Sequence, residues 1–488
     1  MRLWHLIGSL AAVVLAVRAA EPPRGGNKGG GGEGRRVEVR MPTPAFKTEV
    51  PDHAFDLILC RPSARAITLS VLAYDELEGY VAYGSDPAAL PVRTAPRTFA
   101  KGEPAEVVLG PLQPGTRYHY QFHSRAPGGG DFKATEVTGF TTARPRGSTY
   151  TFTIQADSHL DLGIDPPTYV KSLRNAVAAQ ADFHIDLGDT FMTDKYPRYV
   201  DALPQYLAQR YYFGLVGARM PIYLVLGNHD GEQPARGGAG EGSMTSWSAR
   251  MRLKYFPNPV PDEFYRGNAT PDPIVGKLQN YYAWEWGDAL FVALDPFWYS
   301  TRGGRGDNWG RSLGRVQYDW LKQTLEGSTA KFKFVFIHHL VGGETPEGRG
   351  GAEASEFFEW GGRDLDGRDA FAQHRPGWPM PVHRLLVQNH VSAVFHGHDH
   401  LYAQQERDGV IYQLVPQPGH SRIDNTRSAA EYGYKSGVIQ GASGILRVNV
   451  SPERAQVEYV RAYPDAAESA LRRTGSVSHE YTLFSPGR

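Results

Sequence analysis

Five short strand-like runs, each breaking off into a cluster of Asp, Asn and His, restrict the possible folds of this chain more than any other feature. Thr149–Ala156 runs into Asp157-Ser158-His159, and Phe183–Leu187 into Gly188-Asp189. Pro221–Leu226 ends in Gly227-Asn228-His229-Asp230, Phe332–Ile337 in His338-His339, and Val391–Phe395 in His396-Gly397-His398-Asp399-His400. Runs of this length and composition predict buried strands. Helical patterns lie between them: over Tyr169–Ala181, residues Val170, Leu173, Ala176, Val177 and Ala181 share one face, and Tyr199–Phe213 predicts a helix interrupted at Pro204. Strands alternating with helices predict an α/β layered domain. In such sheets ligands bind beyond the carboxyl ends of the strands, where all five clusters fall. A further strand is expected at Ala289–Leu294, and Val410–Val415, Ile445–Val450 and Gln456–Val460 are expected to form a closing antiparallel set.

The donor types indicate a metal site. Carboxylate, amide oxygen and imidazole together suit zinc, manganese, iron or cobalt. Magnesium and calcium prefer shells made of oxygen alone. A bridging carboxylate can hold two such ions roughly 3.5–4 Å apart, close enough to share one hydroxide nucleophile. Taken singly, Asp157 could cap a turn and Gly188-Asp189 could be an ordinary turn dipeptide. Two histidines spaced as His398 and His400 on a loop rarely serve packing, and five such clusters in one chain leave little room for a purely structural reading. Adjacent strand residues point to opposite faces, so His338 and His339 cannot both reach the ions. His184, Asp186 and His396 are expected to face the core or solvent, and Asp295 to make a structural hydrogen bond. Trp298, Tyr299 and Trp309 either line the cleft or pack a long loop. A Gly-rich stretch around Val341–Arg368 is expected to be a rim loop.

In order, Asp157-x-His159, Gly188-Asp189, Gly227-Asn228-His229-Asp230, a strand-end His and Gly397-His398-x-His400 resemble the signature of the calcineurin-like metallophosphoesterase superfamily. The resemblance covers about Thr149–Val460. It implies an α/β (α+β) fold, a four-layer α/β/β/α sandwich. It also implies two metal ions, the first held by Asp157, His159, Asp189 and His400. Asp189 would bridge to the second, which takes Asn228, His338 and His398; the spacing Val335-x-x-His338 selects His338 over His339. His229 would protonate the leaving oxygen or stabilise developing charge, and Asp230 would orient it. The reaction implied is in-line attack on phosphorus by a metal-bridging hydroxide. One departure narrows the family: purple acid phosphatases have Gly two residues after the first Asp and a metal-binding Tyr three residues after the second. This chain has His159 and Met192 there, so the protein should not be purple, and a ferric first ion is disfavoured.

The rest of the chain divides by composition. Arg2, the apolar run Leu6–Val17 and the small-residue pattern Val17-Arg18-Ala19 read as a secretory signal over 1–20, which predicts a secreted or periplasmic protein. An uncleaved anchor ranks second, because the run is shorter than the roughly 20 residues needed to span a bilayer. No stable membrane span is expected after cleavage. Residues 21–44 form a Gly-rich linker. Over 45–146, short strands and turns, with Tyr118, Tyr120 and Phe122 alternating after Pro114-Gly115, predict an all-β sandwich. The Pro-Gly-Thr-x-Tyr-x-Tyr pattern resembles a fibronectin type III domain, or the sandwich that precedes the catalytic domain of purple acid phosphatases. The catalytic domain is expected over 147–463 and a tail over 464–488. Lys plus Arg (52) equals Asp plus Glu (52), so no net field draws the chain to nucleic acid, and the expected partner is a small phosphate ester. Cys60, the single cysteine, permits no internal disulfide and reads as a buried core thiol. Export and the sandwich favour a phosphomonoesterase. A phosphodiesterase and a non-catalytic surface binding protein are the competing readings.

Overall fold

The computed structural model describes residues 46–301, 308–343 and 348–485. The predicted signal (1–20) and linker (21–44) lie outside them. Two sheets form the catalytic region. The six-stranded sheet runs Ile222–Leu224, Phe183–Asp186, Tyr150–Gln155, Gly444–Val450, Arg454–Arg461, Val477–Phe484, with the first three strands parallel. The eight-stranded sheet places Ala289–Ala293, Phe332–Phe336, Ala393–His396 and Val410–Leu414 side by side and parallel, with antiparallel strands on both flanks. The sheets pack face to face. Phe152 and Phe183 of the smaller sheet meet Phe291 of the larger edge-on, each with ring centroids 5.2 Å apart.

Helices cover both outer faces. Pro166–Ala178 and Leu203–Gly217 pack on the smaller sheet against Ile445 and Val460. Gly314–Glu326 and Val382–Gln388 pack on the larger sheet against Leu290, Val335 and Val394. This is the expected α/β/β/α order. It explains why the strands read as largely apolar runs, since every parallel strand is covered on both faces. Asp165 caps the first helix by accepting a 3.1 Å bond from the Thr168 amide.

Three expectations change. Pro204 does not interrupt a helix: it sits in the first turn of Leu203–Gly217, where its missing N–H has no role, after a separate 3₁₀ turn at Tyr199–Ala202. Val410–Leu414 does not join Gly444–Val450 in a closing antiparallel set. It lies in the other sheet, parallel to Ala393–His396 in the register His396 to Leu414. The segment set apart as a tail, 464–488, supplies the edge strand Val477–Phe484, antiparallel to Arg454–Arg461. Its residues are largely solvent-facing, so it carries no apolar signal.

Before the catalytic region, Phe55–Cys60, Ile67–Ala73 and Ala105–Leu109 form one sheet. It faces a second sheet centred on Leu77–Gly84 and Arg117–Arg125. Leu57, Leu69 and Val71 meet Val81, Tyr120 and Phe122 between them. Cys60 is buried in the first sheet, and burial pushes its thiol up to about 11. The sandwich is joined to the catalytic region by a shared core in which Ile58 and Leu72 pack with Phe191, Tyr206 and Phe213. The guanidinium of Arg210, itself fully buried, donates across this seam to Ser70 Oγ (3.2 Å), Ser70 O (3.1 Å) and Asp56 O (3.3 Å). Among the described residues, no helix is long and apolar enough to cross a membrane.

Candidate metal centre

The parallel strands end along one edge, and the chain turns there through conformations that few side chains adopt. Asp157 (φ 58°), Asp189 (φ 55°), His398 (φ 78°) and His400 (φ 56°) all lie in the left-handed region. Such strain persists only where the surroundings enforce it, and it concentrates at functional sites. Two glycines permit the closest approach. A Cβ on Gly227 would lie 1.9 Å from the Asp189 amide nitrogen, and one on Gly188 would lie 2.3 Å from that of Gly227. The loops carrying Asp189 and Asn228 can therefore meet only as glycines.

The turns bring the predicted ligands into two groups. Asp157, His159 and His400 form one, Asp189, His338 and His398 the other, with the candidate ligand atoms of each group within 4.8 Å of one another. In the first, His159 Nε2 and His400 Nε2 face each other at 3.2 Å, and Asp157 Oδ1 lies 3.4 Å from His400 Nε2. In the second, His338 Nε2 lies 3.2 Å from Asp189 Oδ2 and 3.1 Å from Asn228 Oδ1. Donors about 2.1 Å from a shared tetrahedral ion sit roughly 3.4 Å apart, so these spacings suit a metal.

Backbone groups aim these side chains. Asp157 Oδ2 accepts from the His398 amide (2.9 Å) and Asp189 Oδ1 from the His229 amide (2.7 Å), which leaves the other oxygen of each facing inward. His338 Nδ1–H donates to Leu187 O at 2.8 Å, fixing the tautomer that presents Nε2 to the site. The loop between the last two histidines is tied down by Asp399, which accepts from Arg349 Nη1 (2.7 Å), the Gly350 amide (3.1 Å) and Tyr434 Oη (2.7 Å). Gly350 and Arg349 belong to the Gly-rich insertion, so that segment reaches the floor of the site from its rim.

The fit to metal ions shows in what the protein alone leaves unpaired. Asp157 Oδ1 and His398 Nε2 are buried without a hydrogen-bond partner. Burial by itself would raise the Asp189 carboxyl, but the charges of His338 and His229 override it and hold Asp189 well below the usual carboxylate range. Burial likewise opposes His338, yet Asp189 and Asp157 raise it to about 10. His398 goes the other way, pushed well below the usual histidine range by burial and by Arg349. The site thus keeps its carboxylates ionised and His398 neutral, as ligands must be, and a cation would displace the His338 proton.

The remaining predicted residues separate. Asp230 does not orient His229. Its carboxylate is buried and accepts from the backbone amides of Asp189 (3.2 Å), Thr190 (2.7 Å), Phe191 (2.9 Å) and Gly227 (2.7 Å). It staples the two glycine loops together, and burial with the nearby Asp189 charge raises its pKa to about 7. The carboxylate beside His229 is Asp194, whose oxygens lie 2.9 and 3.0 Å from Nδ1. Arg236 pairs with the far oxygen of Asp194 at 2.9 Å. No motif spacing marks Asp194, because a 3₁₀ turn over Thr193–Lys195 brings it round. His339, which the motif spacing passes over as a ligand, is buried, with Nδ1 at 3.0 Å from Leu340 O and its ring 5.0 Å from Phe297. His184 meets Thr153, and Asp186 accepts from Gln155, Gly188 and Thr190, both in the core as expected. Asp295 makes the expected structural bonds, to Asn280 and to the Phe297 and Trp298 amides. Trp309 packs its loop, stacked on His374 with centroids 4.3 Å apart. Met192 is buried where purple acid phosphatases carry the tyrosine.

A family model for calcineurin-like phosphoesterases matches residues 150–402, more than half of the chain. The chain belongs to the calcineurin-like phosphoesterase family. It is therefore a metal-dependent phosphoester hydrolase, of a family that uses a dinuclear metal centre. No curated protein sequence matches the chain. Among solved structures it is similar to PhoD, with 14% identity, a TM-score of 0.60, and coverage of 89% of this chain and 92% of that one. It is also similar to purple acid phosphatase PPD1 from yellow lupin (Lupinus luteus) seeds, with 15% identity, a TM-score of 0.57, and coverage of 88% and 74%. At such identities the likeness concerns the fold, sandwich and catalytic region together.

Proposed function

We propose that this phosphoesterase is exported and hydrolyses phosphate monoesters at a dinuclear centre of iron, manganese, zinc or cobalt. The observation that carries the reading is the meeting of the two ligand groups, where Asp157 Oδ1 of the first lies 4.0 Å from His338 Nε2 of the second. Asp157, His159, Asp189 and His400 would hold the first ion, and Asp189, Asn228, His338 and His398 the second. When bound, the ions lower the pKa of a coordinated water and withdraw charge from phosphoryl oxygens. His229, engaged by Asp194 through Nδ1, is left with Nε2 to protonate the departing ester oxygen. Asp194 fixes the ring and compensates its charge, and Arg236 in turn fixes Asp194.

The preference for monoesters is supported by the likeness to a purple acid phosphatase, which extends over both the sandwich and the catalytic region. Export is supported by Arg2 and the apolar run Leu6–Val17. The deciding experiment compares turnover of an aryl phosphate monoester with that of the matching diester, alongside metal analysis of the purified protein. Faster monoester turnover with two bound ions is expected. Faster diester turnover would replace the monoesterase by a phosphodiesterase, and two bound ions without hydrolysis of either would leave a binding protein.

A further inference from the structure

A sixth strand ends on the same edge as the metal ligands. Val410–Leu414 is parallel to Ala393–His396, with Leu414 opposite His396, and the Val415 amide donates to His396 O at 2.7 Å. The chain then continues through Val415-Pro416-Gln417-Pro418. Prolines on both sides restrict the backbone of this segment. The Pro418 carbonyl is held as well, accepting from Ser443 Oγ at 2.5 Å and from Ser172 Oγ. Gln417 is thus fixed at the strand end rather than free to swing.

Its carboxamide lies in the first ligand group. Gln417 is 1% exposed, and its terminal Nε2 lies 3.4 Å from His159 Nε2. That is the spacing the other donors keep: His159 Nε2 to His400 Nε2 is 3.2 Å, and His400 Nε2 to Asp157 Oδ1 is 3.4 Å. The other carboxamide atom, Oε1, is buried with no hydrogen-bond partner. An imidazole nitrogen that binds a metal directs its lone pair at the ion and cannot also accept from a neighbouring NH₂. Rotating the carboxamide by half a turn exchanges its two nearly isosteric ends and faces Oε1 toward the site.

We propose that Gln417 is a further ligand of the first metal ion, supplying its carboxamide oxygen beside Asp157, His159 and His400. The proposal rests on the dinuclear reading above. Each ion then has one neutral amide oxygen, Asn228 on the second and Gln417 on the first. An amide oxygen adds a ligand without adding charge, so the first ion gains coordination while its net attraction for an anionic phosphate is kept. Position 417 would act on that ion and not on the leaving group.

The test is metal binding by the full-length protein, measured as free Mn²⁺ during titration of the metal-free form, with Gln417→Leu and Gln417→Glu. Leucine fills a similar volume without an oxygen, and glutamate restores one. Wild type is expected to bind two ions. Gln417→Leu is expected to weaken one site by roughly 10–100-fold and leave the other unchanged. His400→Ala should weaken that same site, and Gln417→Glu, which supplies a charged oxygen, should bind there more tightly than wild type. Two sites of unchanged affinity in Gln417→Leu would overturn the ligand assignment while leaving the dinuclear centre intact. Fewer than two sites in wild type would overturn the dinuclear reading, and the assignment with it. If Gln417→Leu fails to fold, a Gln417→Glu protein that binds neither ion more tightly than wild type would count against a metal-facing carboxamide.

Discussion

The metal floor and the seam behind it are built in opposite ways. At the floor, Asp157, Asp189, His398 and His400 sit in left-handed backbone conformations, and buried polar atoms such as His398 Nε2 have no hydrogen-bond partner. At the seam, aromatic and aliphatic side chains from both regions interlock, and Arg210 places its charged head among backbone carbonyls. The floor stores unfavourable features that an incoming cation can satisfy. The seam consists of contacts made within the protein alone. They also touch: Phe191, two residues beyond Asp189, stacks on Tyr206 of the seam with centroids 4.1 Å apart. The difference implies that floor substitutions should remove chemistry and spare the fold, whereas seam substitutions should do the reverse.

The sharpest break in that contrast comes from Asp189→Asn. The substitution keeps the shape but removes charge from the carboxylate proposed to bridge the two ions. Turnover should fall about 10³-fold or more, since several kcal/mol of electrostatic stabilisation is at stake. Metal content should drop with it, while unfolding of the metal-free protein stays close to wild type. Near-normal turnover with two ions retained would sink the bridging role. At the edge of the floor, His229→Ala should lower kcat by about 10²–10⁴-fold, and most for esters with poor leaving groups. Asp194→Asn should cost less, about 10–100-fold, because the ring remains but loses its anionic partner. Asp230→Asn should instead lower stability, because the staple across Asp189, Thr190, Phe191 and Gly227 loses charge. An Asp230 variant impaired like His229→Ala, at full stability, would restore the orienting role to Asp230.

Removing the metals tests the floor's stored cost directly. Ions that bind only the folded chain stabilise it by mass action, about 4 kcal/mol for one site at a thousandfold excess over Kd. Chelation should therefore lower the thermal midpoint, and adding Mn²⁺ or Zn²⁺ back should restore it. In Asp189→Asn this shift should shrink. A midpoint indifferent to chelator in the wild-type protein would mean that the floor is satisfied without ions.

What could be read from sequence follows from the same contrast. Parallel strands covered on both faces are largely apolar, so polar clusters stand out at their ends, and the five clusters announce themselves. Asp194 carries no such signal, because a 3₁₀ turn, not a strand end, delivers it to His229. Asp230 follows His229 in the chain, yet its side chain turns to four amides that only the folded loops bring together. Gln417 was hidden by topology. Val410–Val415 reads equally well as a closing antiparallel strand, and only parallel pairing with Ala393–His396 puts its end at the site. Periodicity identifies strands, but their neighbours are chosen by tertiary packing.

The smallest effects on chemistry are expected at the seam. Arg210→Met keeps an unbranched apolar stem but leaves the carbonyls of Ser70 and Tyr255 without their donor. A buried acceptor stripped of its partner costs about 1–3 kcal/mol, so unfolding should become easier by roughly that amount or somewhat more. Tyr120→Phe removes a single 2.7 Å bond to Ala218 O across the same seam and should cost only about 1 kcal/mol. In both variants kcat per folded molecule should match wild type. A drop in kcat at full occupancy of the folded state would place the seam within the catalytic apparatus, acting through Phe191 on the loop that holds Asp189. That outcome would turn the sandwich from a support into a determinant of where the ligands stand.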